Sequence, residues 1–299
     1  MEFSYGGQAV LEGVMIRGPR HVSIAVRRPD DTIVRETYAY RSLADKWPVF
    51  GLPLIRGAAA LYDALRIGLH ALLFSANQTA ATEEEKLTPG QMAMSTGLAL
   101  VLAIGLFVLA PTGLTHLLQR WISSGLLLNF IEGMLRLAIL LAYVATIPRM
   151  EEMRRVLEYH GAEHKVIHAL EAGDRLEVER VQKYPIEHPR CGTSFLLLVA
   201  LTSVVLFSFL GWPGFWQRIV LRLAMLPVVA GVAYELIRAS ARGRSILWRP
   251  ILVPGLWLQR FTTREPDDSQ VEVALAALVA VLDAGKDVSQ AAIAATVEG

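Results

Sequence analysis

Apolar residues dominate four stretches of roughly twenty positions, the length a helix needs to cross about 30 Å of hydrocarbon. They are "MAMSTGLALVLAIGLFVLAPTGL" (92–114), "LLLNFIEGMLRLAILLAYVATI" (126–147), "TSFLLLVALTSVVLFSFLGW" (193–212) and "RIVLRLAMLPVVAGVAYELI" (218–237). Short connections pair the first with the second and the third with the fourth, so the pattern predicts two transmembrane hairpins and four crossings. A fifth segment, "PLIRGAAALYDALRIGLHALLFSANQ" (53–78), differs. Its polar residues Arg56, Asp63, Arg66, His70 and Gln78 fall within an arc of about 120° at about 100° per residue. That predicts an amphipathic helix lying in the cytoplasmic interface, or packed with its stripe toward the protein.

The first fifty residues change period. "HVSIAVRRPDDTIVRETYAY" alternates apolar and polar positions on both sides of "RPDD", a β-hairpin signal. "YGGQAVLEGVMIRGP" before it is punctuated by glycine and suits a strand or turn with close backbone approach. Near the other end, "WRPILVPGLWLQRFTTREPDD" combines tryptophans with arginines and suits a membrane surface. "SQVEVALAALVAVLDAG" then carries a cap signal, an apolar period and a closing glycine, the pattern of a packed cytosolic helix.

Composition supports the membrane reading: 53% of the 299 residues are hydrophobic and only 19% charged. The formal net charge of +1 gives no electrostatic case for nucleic acid. One cysteine, Cys191, excludes an intrachain disulfide and a four-cysteine zinc site. The N-terminus lacks a basic stub followed by an apolar run, so no cleavable signal peptide is expected. The segment 148–192 carries eight Lys and Arg residues, whereas loop 115–125 carries one and the turn 213–217 none. The positive-inside bias therefore places the central segment and both termini in the cytoplasm.

Candidate chemistry concentrates in "YHGAEHKVIHALE" (159–171). His160 and His164 are four apart, as are His164 and His168, and such positions share a helix face. The order His160-Gly-Ala-Glu163-His164 is H-x-x-E-H, which resembles the inverted zinc motif of the inverzincin peptidases, in which the histidines hold zinc and the glutamate activates a water. A third ligand is required. His168 is one candidate; His188 and Cys191 in "EHPRCGTSF" (187–195) are the others. Glu171 stands too far along the axis to join His160. Zinc is the metal expected, Glu163 the general base, and Glu12 a lower-ranked contributor. Inside the second crossing, Asn129, Glu132 and Arg136 share a face, either as a self-neutralising ion pair or as a transport site. Arg222 can snorkel, and Glu235 near the inner end of the fourth crossing could offer a carboxylate to the cytoplasmic site.

"GGQAVLEGVMIRGP", "YHGAEHKVIHALE", "HPRCGTSF" and "PGLWLQRFTTREPDDSQVEVALAAL" together resemble the YqhQ-like family of bacterial multi-pass membrane proteins. The likeness covers nearly the whole chain, with the motifs in the same order. It implies a bacterial cytoplasmic-membrane protein. The family is a domain of unknown function, sometimes labelled a predicted metal-dependent enzyme, and the resemblance supplies no reaction.

The expected fold is mainly α and polytopic. Its parts are an N-terminal β-containing segment (1–50), an amphipathic interfacial helix (51–78), a first transmembrane hairpin (91–147), a histidine-rich helix and loop (148–192), a second hairpin (193–240) and a C-terminal segment with a helix (241–299). The expected function is a cytoplasm-facing metal site, with hydrolysis of a membrane-adjacent substrate as its chemistry. A transporter or channel, or a scaffold recruiting a cytoplasmic partner, is the alternative. The bilayer is the expected partner, and a homo-oligomer is left open.

Overall fold

The computed structural model describes residues 5–242 and 249–297. Alternation in the N-terminal region produces four strands: β1 (Gly6–Val10), β2 (Gly13–Arg17), β3 (His21–Arg27) and β4 (Ile33–Ala39). They form one antiparallel meander in the order β1-β2-β3-β4. The "RPDD" hairpin is its second half, closed by Asp31 at φ 64° and by the Asp30 carboxylate accepting from the Thr32 amide at 3.0 Å. The glycine-rich stretch is its first half, with Glu12 at φ 48° in the turn.

Both faces of the sheet are covered, because β2 and β3 carry apolar residues at successive positions rather than alternate ones. Val14, Ile16 and Ala25 pack against α6 (Glu151–Ala172) and α11 (Asp268–Val297). Met15, Val22, Ile24 and Val26 pack instead against Ile67 and Ala71 of α2 (Ile55–Thr79). Helix α11 starts where Asp267 accepts from the Gln270 amide. It runs through Gly285 to Val297 instead of ending at that glycine.

The remaining helices are α1 (Leu43–Lys46), α3 (Pro89–Ile104), α4 (Ala110–Leu118), α5 (Gly125–Thr146), α7 (Val178–Val181), α8 (Gly192–Ser208), α9 (Phe215–Arg242) and α10 (Arg249–Thr262). A π-turn over Gly105–Leu109 joins α3 to α4 just before Pro111. Proline cannot donate to the ladder, and a wider turn accommodates the defect.

Among the described residues, four helices are long and apolar enough to cross a membrane: Ile55–Thr79, Pro89–Leu118, Gly125–Arg149 and Phe215–Ser240. This set differs from the expected one. The third expected crossing is the 17-residue α8, about 26 Å long. The segment read as interfacial, α2, meets the length and composition of a spanning helix. Its polar stripe is turned toward protein: Arg56 binds Glu235, the Asp63 carboxylate accepts from the Leu43 amide, His70 meets Glu36, and the Gln78 side chain accepts from Arg28. Leu61, Tyr62 and Leu65 remain exposed, as do Trp47, Val49 and Leu52 just before the helix. On α3, Leu98, Val101 and Leu102 are all more than half exposed. Apolar surface of this extent suits lipid rather than water.

The histidine helix is also separate from the crossing before it. Pro148 breaks α5, a 3₁₀ turn covers Ile147–Arg149, and extended Met150 (φ −81°, ψ 128°) starts α6 afresh. It ends at Gly173, in the left-handed conformation (φ 66°).

Candidate metal centre

Helix α6 sets the histidines on one face, and three other segments close over them. Gly161 lets the backbone between α10 and α11 dock there; a Cβ at this position would lie 2.0 Å from the Arg264 carbonyl oxygen. That docking brings the Thr262 carbonyl to His160, whose Nδ1 donates to it at 2.6 Å. The Ile186 carbonyl accepts from Nδ1 of His164 in the same way. Each carbonyl fixes the proton on Nδ1 and leaves the Nε2 lone pair to point away, the usual outer-shell arrangement of a metal-binding histidine.

The two Nε2 atoms converge. His160 Nε2 is 3.3 Å from Cys191 Sγ, and the ligand atoms of His160, His164 and Cys191 all lie within 4.8 Å of one another. Glu163 Oε2 stands 3.7 Å from His164 Nε2 and 4.0 Å from His160 Nε2. His164 is 2% exposed and its Nε2 has no hydrogen-bond partner. Leaving such an atom unpaired in the interior costs free energy, and a cation would satisfy it. Cys191 is the N-cap of α8, where backbone N–H groups favour negative charge. Two imidazoles and a thiolate are a zinc donor set. The residues present fit the metal.

Loop 186–191 is held in place by α10. The fully buried Gln259 accepts from the His188 amide at 2.7 Å and donates to the His188 carbonyl at 2.9 Å and to Ser194 Oγ at 3.0 Å. The imidazole of His188 lies outside the group of His160, His164 and Cys191: it faces His168, with ring centroids 4.5 Å apart, and Glu171, while the His164 ring is 5.7 Å away. Burial, followed by the neighbouring His168 and His164, pushes its pKa down to about 3, which keeps the ring neutral.

A cavity of about 500 Å³ opens in front of His160, Glu163, His164 and Cys191. Gly7, Gln8 and Arg17 of the sheet, Arg190, and Tyr234 of α9 also line its wall. Gly7 is the contact that admits Glu163; a Cβ there would stand 2.8 Å from Glu163 Cγ.

The other sequence candidates sit elsewhere. Glu12, in the β1–β2 turn, is bound by Arg155 (Nε at 2.6 Å) and by the Tyr159 hydroxyl at 3.3 Å. Glu235 accepts from Arg56 and the Leu54 amide, so its carboxylate is committed to α2. Glu132 accepts from Arg136 at 3.1 Å, Thr112 at 2.9 Å and Thr115 at 3.2 Å, and from Arg222. Arg222 thus does not snorkel; it is buried against Glu132 between α5 and α9. Glu171, set aside in the sequence because it lies far from His160, belongs with His168 and His188. The His168-x-x-Glu171 spacing was its available signal. Nothing in the local sequence marked Gln259 or the Thr262 and Ile186 carbonyls.

The family described as "Protein of unknown function (DUF1385)" matches residues 52–284, and the chain belongs to that family. The chain is 35% identical to "Uncharacterized protein YqhQ" of Bacillus subtilis (strain 168) over 286 residues, covering 91% of this chain and 90% of that relative. No solved structure matches the chain.

Proposed function

We propose that this DUF1385 member is a multi-pass protein of the bacterial cytoplasmic membrane that binds a divalent metal, zinc, at a cytoplasm-facing site and hydrolyses a membrane-adjacent substrate there. The observation that carries the reading is the buried, unpartnered Nε2 of His164 beside His160 Nε2 and Cys191 Sγ, in the wall of a cavity. His160, His164 and Cys191 would hold the metal. When bound, zinc supplies Lewis acidity and lowers the pKa of a bound water to about 7.

The protein's own residues do the rest. Glu163 lies within 4.0 Å of both Nε2 atoms and on the cavity side, placed to take a proton from a nucleophilic water and return it to a leaving group. Arg17 and Arg190 put positive charge on the same wall. The cavity also touches Ala64 and Ile67 of α2 and Tyr234 of α9, the two helices that meet where Gly57 packs on Gly231. A substrate with one end in the bilayer surface suits that position, and the positive-inside bias supports a cytoplasmic face for it and for both termini.

Metal analysis of detergent-purified protein tests the site, with His160→Ala and His164→Ala expected to lose the metal held there. A metal content unchanged from wild type in both variants would sink the reading. Glu163→Gln is expected to keep the metal and lose turnover of any substrate found.

A further inference from the structure

His168, Glu171 and His188 form a second group whose ligand atoms lie within 4.8 Å of one another, distinct from the first. His168 and Glu171 stand one turn apart on α6, and His188 reaches them from the loop that Gln259 holds. Each has features of a ligand. His168 Nε2 donates to the Glu187 carbonyl at 2.8 Å, so its Nδ1 carries the lone pair. His188 is 4% exposed, and its Nε2 has no hydrogen-bond partner. Glu171 splits its two oxygens: Oε1 meets Arg190, while Oε2 lies 3.5 Å from His188 Nε2. Arg190 holds the carboxylate in place and leaves one oxygen directed at the histidines.

We infer that His168, Glu171 and His188 bind a second divalent cation beside the first, making the centre a two-metal one. Two imidazoles and a carboxylate suit zinc, as in hydrolases that keep an open coordination position. The group neighbours the first, since the His164 and His188 rings are 5.7 Å apart. A cation on His188 Nε2 needs that ring's proton on Nδ1, so the long 3.3 Å contact from the Arg190 amide to Nδ1 must open as the metal enters. Paired cations can stabilise both the attacking and the leaving oxygen of a displacement, which a single ion cannot. The second site stands without the first, whereas the two-metal centre rests on the proposed function.

Zinc content of the full-length protein in detergent decides the matter, read beside cobalt(II) substitution. Wild type should hold two equivalents. His168→Ala and Glu171→Ala should each hold one, and their cobalt forms should keep the thiolate-to-cobalt absorption of Cys191, which also reports that the fold is intact. His160→Ala and Cys191→Ala should each hold one without that absorption. A single equivalent in wild type that survives both His168→Ala and Glu171→Ala overturns the second site and leaves the first standing. Two equivalents retained in His168→Ala overturn it as well. If the absorption vanishes from wild type while His168→Ala removes a metal, the first site fails and the second holds.

Discussion

Gly7 is a residue whose replacement has a calculable consequence. In β1 it opposes Ile16, and a Cβ would stand 2.5 Å from the Met15 carbonyl oxygen, 2.8 Å from Glu163 Cγ and 2.9 Å from Ile16 Cδ1. One of these neighbours is backbone, so rotamer changes alone cannot absorb the methyl group. Gly7→Ala should cost about 1–3 kcal/mol, the usual range for overpacking. It should also displace Glu163, so that turnover falls more than metal content. Thermal unfolding in detergent reads the first effect; an unchanged midpoint would show that β1 shifts without cost. At this scale the sequence was partly legible. The i, i+4 spacing of His160 and His164 and the position of Glu163 follow from helix geometry alone. The approach of Cys191 to His160 spans 31 positions and depends on how loop 186–191 folds, which no local pattern encodes. The same loop turns His188 away from Cys191 and toward His168, separating two residues that looked like partners three positions apart.

Among the elements, α10 shows how a helix with no ligand of its own can shape a site. Its Gln259 replaces a missing strand partner for the backbone of His188, taking the amide and serving the carbonyl. Gln259→Ala strips the buried His188 amide of its partner and leaves the His188 carbonyl with the Cys191 amide, at about 1–3 kcal/mol for the group left unpaired. Gln259→Glu keeps the acceptor for the His188 amide but buries a carboxylate against the His188 carbonyl, so its unfolding midpoint should fall at least as far as that of alanine. Equal midpoints for all three would show that the loop is held by something else. Elements were the most legible level of the fold. The strands, the histidine helix with its Gly173 cap and the apolar helices all follow from period and end signals. Two features were not. Pro148 separates α5 from α6 because proline ends a helix in a way that hydropathy does not register. Helix α2 was ambiguous because a polar stripe reads alike whether water or protein satisfies it; here protein does, and the apolar side is left outward.

At the level of the whole molecule, one charged cluster ties the membrane helices together. Glu132 of α5 accepts from Arg136 on its own helix, from Thr112 and Thr115 of α4, and from Arg222 of α9, while Arg136 also reaches Ser203 of α8 at 3.3 Å. Glu132 and Arg222 are 1% and 4% exposed, and no water-sized cavity opens among the described residues of the cluster. A permeation path needs such space, so the packing favours a structural role. Glu132→Ala removes the acidic partner of Arg136 and Arg222 among the described residues. Breaking a buried ion pair on one side costs about 3–5 kcal/mol, so a marked loss of thermal stability in detergent is expected. Because each cation is then uncompensated, Glu132→Gln with Arg222→Met should be less damaging than the two single costs summed, the signature of direct coupling. The metal centre begins beyond the far end of α5, roughly 20 Å away along the helix axis. Metal content measured well below the unfolding temperature should therefore match wild type. An additive double variant would show that the contact carries no coupling energy. Ion flux into liposomes that Glu132→Gln abolishes, in protein of unchanged thermal stability, would overturn the structural role and favour transport.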